Sequence, residues 1–80
     1  MRISVKDAET GSKITMDVEE DNTIEEILES AADHWNKTPG AYVVRFGKKV
    51  LGGELTVEES NLTDGDVLEL IPDPEGGSAW

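Results

Sequence analysis

Cysteine is absent from the chain, which excludes disulfide stapling, thiolate metal sites and a cysteine nucleophile. Histidine occurs once, at His34. With no second ligand beside it, it points away from a metal site and toward a helix end, where it favours the dipole. No apolar run approaches the roughly 20 residues of a membrane span. The opening Met1-Arg2-Ile3-Ser4-Val5-Lys6 alternates from its first residue and lacks the apolar core of a signal peptide. A cytoplasmic protein with no membrane partner is the expectation. Bases are scarce as well, seven against eighteen acids, for a formal charge of −11. Nucleic acid is a poor partner for such a chain, because binding rests on neutralising phosphates with Lys and Arg. The acids fit a well-solvated surface and attraction to basic partner surfaces. Ser/His/Asp constellations, paired catalytic carboxylates and glycine-rich phosphate loops are missing too. Asp64-Gly65-Asp66 lacks the remaining ligand spacing of a calcium loop and reads as a turn. The chain is not expected to be an enzyme, to bind a metal or to carry a cofactor.

What is present is one small domain's worth of patterning. Eighty residues bury only about 60–65% of the unfolded surface, so local signals must agree for the chain to fold. Residues 1–7 place Met1, Ile3 and Val5 on one face and Arg2, Ser4 and Lys6 on the other, as a strand does. A short turn with Gly11 leads to a second alternating run, Ile14, Met16 and Val18, and the two make a hairpin. Thr23 with Glu26 three residues on is a capping box. Ile24, Ile27, Leu28, Ala31 and Trp35 then form one apolar stripe. The spacing predicts a helix over 23–36, stopped by Pro39-Gly40, with Leu28 a core position and Trp35 packing at the helix end. Residues 42–46 and 49–51 read as strands around a Gly47-Lys48 turn. Thr56 with Glu59 repeats the capping spacing and predicts one helical turn near 57–60. Val67-Leu68-Glu69-Leu70-Ile71 is nearly continuously apolar, as a central strand is. The order β-β-α-β-β-turn-β predicts an α+β fold, with one helix packed across a mixed sheet of four to five strands and the first and last strands adjacent at its centre.

Beyond Ile71 the pattern changes. Pro72-Asp73-Pro74-Glu75-Gly76-Gly77-Ser78-Ala79-Trp80 offers a core nothing. Proline cannot donate to a ladder, and a glycine pair has no side chain to bury. The chain divides into a domain, 1–71, and a C-terminal tail, 72–80, that looks made for other proteins to handle.

In this order and spacing, the segments Met1–Lys6, Asp21–Glu25, Phe46–Leu51, Leu55–Leu62 and Leu68–Leu70 leading to Gly76-Gly77 resemble the ubiquitin family along residues 1–77. The resemblance implies a β-grasp fold and a protein modifier. In such modifiers the last glycine's carboxylate is adenylated with ATP by an E1-type activating enzyme. It passes as a thioester to an E2-type conjugating enzyme and ends as an amide on a lysine of a target protein. Gly76 and Gly77 are the residues this assigns to activation and conjugation, because backbone without Cβ can thread a narrow channel. Ile71, Pro72, Asp73, Pro74 and Glu75 are the tail that enzymes recognise, held extended by the prolines and open to pairing as an added strand. Ser78-Ala79-Trp80 departs from a mature modifier. It implies a precursor cut between Gly77 and Ser78 by a deubiquitinase-like peptidase. Lys48 and Lys49, then Lys6, Lys13 and Lys37, are the possible acceptors for chain formation.

Two further departures bear on partners. Where the family presents an aliphatic surface patch, this chain has Arg45 at the centre and Asp7-Ala8 near the first turn, with Ile71 as the one apolar member kept. Receptors of that patch are not expected to bind it. Asp73 and Glu75 replace basic tail residues, which implies a dedicated enzyme set. These features suggest a bacterial or archaeal source and a monomer. Two alternatives stay open: a sulfur carrier with a C-terminal thiocarboxylate, and a non-conjugated β-grasp interaction domain.

Overall fold

The structure is a computed structural model and describes residues 1–73. The alternating runs form strands β1 (Arg2–Asp7) and β2 (Lys13–Asp17), followed by helix α1 (Ile24–His34), β3 (Tyr42–Phe46), β4 (Lys49–Leu51) and β5 (Val67–Pro72). They make one five-stranded sheet in the order β2-β1-β5-β3-β4. β1 and β5 run parallel at its centre, and the other pairings are antiparallel. This is the mixed α+β arrangement expected of the sequence, with all five strands in a single sheet. The central strands are the most apolar because their inner face lies under the helix. Ile3, Val5, Val44, Leu68 and Leu70 are fully buried there against Ile24, Ile27 and Ala31 of α1. Val57 and Leu62, from the chain between β4 and β5, close the end of the core.

Both capping boxes form. Thr23 Oγ1 accepts from Glu26 N at 3.2 Å, and Glu26 Oε1 accepts from Thr23 N at 2.9 Å. Thr56 and Glu59 repeat the exchange at 3.1 and 3.0 Å. Loop 52–55 also helps to start α1, since Ile24 N donates to Leu55 O and Glu25 N to Gly53 O. That approach is close: a Cβ on Gly53 would lie 3.3 Å from the Glu25 Cβ. Near 57–60 the chain makes a single capped turn, closed by Ser60 N to Thr56 O at 3.0 Å, that does not extend into a helix. Asn61 at φ 58° ends it.

Four details differ from the sequence expectation. The helix ends at His34, two residues short of the expected 36, and asparagine closes it before Pro39 can act. Asn36 adopts φ 57°, Asn36 N donates to Asp33 O and Lys37 N to Ala32 O, which is a Schellman closure with asparagine in the left-handed position. Pro39–Ala41 forms a short 3₁₀ turn that the pattern did not suggest. Leu28 is half-buried although it lies in the apolar stripe. The last strand runs to Pro72, which pairs with Tyr42, so Ile71 and Pro72 belong to the sheet. Bonds in an antiparallel ladder alternate. The bond from Asp73 N to Ala41 O, 2.9 Å, therefore leaves Pro72 at a position where no N–H is required on that side.

Candidate functional site

β5 leaves the sheet just ahead of the segment that holds Gly76 and Gly77, to which the resemblance assigns activation and conjugation. Pro74, Glu75, Gly76, Gly77 and Ser78 lie outside the described residues. The base from which they continue is well defined. Leu70 O accepts from Ala8 N at 3.1 Å, and Asp73 N reaches Ala41 O. Ile71 is half-buried and Pro72 exposed.

A polar cluster ties this base together. The inward alternation of β1 does not end with Val5. Asp7 follows on the same face, and its side chain is 1% exposed. Oδ1 accepts from Glu9 N at 2.9 Å. Oδ2 makes no hydrogen bond of good geometry among the described residues, and the Lys37 ammonium stands 3.3 Å from it. Lys37 Nζ also donates to Glu9 Oε1 at 2.9 Å and lies 3.4 Å from the Tyr42 hydroxyl, which itself donates to Glu9 Oε1 at 3.0 Å. Burial works to raise the Asp7 pKa. The Glu9 N–H and the Lys37 charge outweigh it and hold the carboxyl below the usual range. Hydrogen bonds from Lys37 and then Tyr42 lower Glu9 in the same way. The hydrogen bond to Glu9 raises Lys37, against some desolvation. The four residues join the first hairpin turn, the helix end and the start of β3, the strand beside β5. Nothing local in the sequence signals this cluster, since Glu9 is 28 residues from Lys37 and 33 from Tyr42. An aspartate continuing an inward-facing alternation was the one available hint.

A model of the ubiquitin family matches residues 3–74. The chain belongs to the ubiquitin family. A protein designed de novo by Hydra on the basis of ubiquitin superposes with a TM-score of 0.84 at 32% identity, over 98% of this chain and 94% of that one. Caldiarchaeum subterraneum ubiquitin also gives 0.84, at 23% identity over 96% and 98%, a likeness of fold. No curated protein matches the chain. The fold is therefore the β-grasp of this family.

Within this ubiquitin-family chain the other expected site residues are spread out. Lys48 lies in the β3–β4 turn, Lys49 opens β4 and Lys6 lies on β1. All three are exposed, as is Lys13. Lys37 is different: its side chain is 17% exposed and held in the cluster, where a bound, charged amine is a poor nucleophile. On the open sheet face Arg45 Nε donates to Glu69 Oε1 at 3.1 Å, so an ion pair occupies the centre of the expected patch. Ile71 pairs there with Val43, an apolar neighbour that the sequence reading overlooked. Asp7, placed near that patch by sequence, is turned into the core. Trp35 caps the helix and packs against the core, its ring edge-on to His34 at 6.0 Å. Asp64 and Asp66 accept backbone N–H groups of Arg2 and Thr63. Among the described residues no group of three or more acids and histidines is gathered to hold a metal ion. No helix among them is long and apolar enough to cross a membrane.

Proposed function

We propose that this ubiquitin-family chain is a protein modifier made as a precursor. A deubiquitinase-like peptidase hydrolyses the Gly77–Ser78 bond and frees the Gly77 carboxylate. An E1-type enzyme joins that carboxylate to the α-phosphate of ATP, releasing pyrophosphate. An enzyme thiol then displaces AMP to form a thioester. An E2-type enzyme receives the acyl group by exchange of one thiol for another. A target lysine displaces the last thiol, and an isopeptide bond remains. The chain's own part is mechanical: a rigid body delivers a thin acyl terminus, and all bond making belongs to its partners.

One observation carries this reading. A glycine pair follows within a few residues of an anchored final strand, in a chain whose family match runs through residue 74. Pro72, Asp73, Pro74 and Glu75 fit as the stretch that enzymes grip before the glycines enter a site too narrow for a Cβ. The test is an amino-terminally tagged chain expressed in its own cells, with and without Gly77→Ala. Reductant-resistant bands of higher mass are expected for the native chain and not for the variant, with the same circular dichroism for both. Bands of equal intensity in the variant would remove Gly77 from the chemistry.

A further inference from the structure

We propose that the groove between α1 and the β3–β4 edge of the sheet docks a partner segment that presents an aliphatic side chain flanked by lysine or arginine. The groove holds about 440 Å³, within the range of clefts that bind ligands and peptide side chains. Its floor is the buried Ile24, Val44 and Leu51, half-buried Leu28 and Pro39 supply the apolar surface a side chain would meet, and Glu25 and Glu29 stand beside them. Leu28 explains why the space exists. It belongs to the helix's apolar stripe, yet β4 is only three residues long, so the sheet does not fully cover it.

The two glutamates decide what fits. They lie four residues apart on one helix, where like charges repel, and Asp33 continues the same row. Among the described residues neither glutamate is in an ion pair. Glu9 and Glu26, by contrast, each accept two hydrogen bonds at Oε1. Glu25 and Glu29 are both exposed and, among the described residues, outside any ion pair, so an incoming cation can meet them without breaking an existing contact. A segment with an aliphatic residue between basic ones would cover Leu28 and pair the two acids, and an acidic segment would be repelled. The binding surface lies entirely in the folded domain, so the proposal does not depend on the chemistry assigned to Gly77.

The test is an amide NMR titration of the full chain with a capped peptide of sequence Lys-Arg-Leu-Ile-Arg-Lys. A second peptide, Glu-Asp-Leu-Ile-Asp-Glu, serves as the control. The basic peptide is expected to shift Leu28, Gly40, Val44 and Gly53, to weaken as salt rises, and to bind at least tenfold more tightly than the control. Glu25→Gln combined with Glu29→Gln keeps the helix shape and should weaken binding about tenfold. Gly40 lines the groove, and a Cβ there meets nothing within 4 Å. Gly40→Leu should therefore fold normally and block the site. Absence of shifts, shifts centred elsewhere, equal binding of the two peptides, or no loss in either variant would overturn the proposal.

Discussion

Asp7 is where a single side chain most changes the account of this molecule. A carboxylate buried on the core face of β1 is tolerable because a backbone N–H and the Lys37 ammonium meet it. Its contribution has a definite pH dependence. A group whose folded pKa lies below its unfolded value adds stability above the unfolded pKa, and that stability is lost as pH falls through the folded value. Asp7, Glu9 and Glu26 are all shifted downward. The share of stability these groups supply should therefore begin to fall at about pH 5, as they start to protonate in the unfolded chain, and the urea midpoint should drop steadily below that. Asp7→Asn should lower the midpoint at neutral pH and make that acid fall shallower, because one linked proton is gone. An unchanged slope would mean that Asp7 is not held by the contacts seen here. The sequence showed an acid at the end of an inward alternation. It could not show the lysine that makes the position viable, since that contact exists only once three elements have met.

The elements were legible wherever their signals are local. Thr23 and Glu26 fix the start of α1 within four residues of chain, and the hairpin and β3–β4 follow from alternation around Gly11 and Gly47. The end of α1 falls within two residues of the expected 36, but the device that ends it is Asn36 in the left-handed region, not the more conspicuous proline. Burial along the stripe was also uneven, since periodicity shows which face turns inward but not how far the sheet extends beneath it. Ile27 is buried and Leu28 half-buried. Ile27→Ala should cost about 2–5 kcal/mol through the cavity it leaves, enough to unfold much of so small a domain. Leu28→Ala should cost clearly less, because part of that side chain already meets water. Denaturant titrations of the two variants check the order, and a larger loss for Leu28→Ala would show that the groove is closed in solution.

For the whole molecule, topology followed from element order. One helix can cover only one sheet face, and the first and last strands had to share its centre. The extent of β5 was less clear. Proline argued for an end at Ile71, whereas the alternation of ladder bonds accommodates Pro72 and carries the sheet to Asp73. This matters because it brings the anchored body to within three residues of Gly76. The central claim is that Gly77 becomes an acyl donor to lysines, and the sequence offers an unusually direct test. No lysine or arginine follows Lys49, so trypsin would leave a long remnant, beginning at Val50, on any conjugated target. Glu75 immediately precedes the glycine pair, so a glutamate-specific protease would leave Gly-Gly alone. The decisive measurement is mass spectrometry of glutamate-specific digests of the purified tagged chain and everything covalently attached to it. Target lysines carrying Gly-Gly, together with free chain ending at Gly77, are the expected result. Only full-length chain ending at Trp80, or a Gly77 thiocarboxylate with no modified lysines, would contradict it.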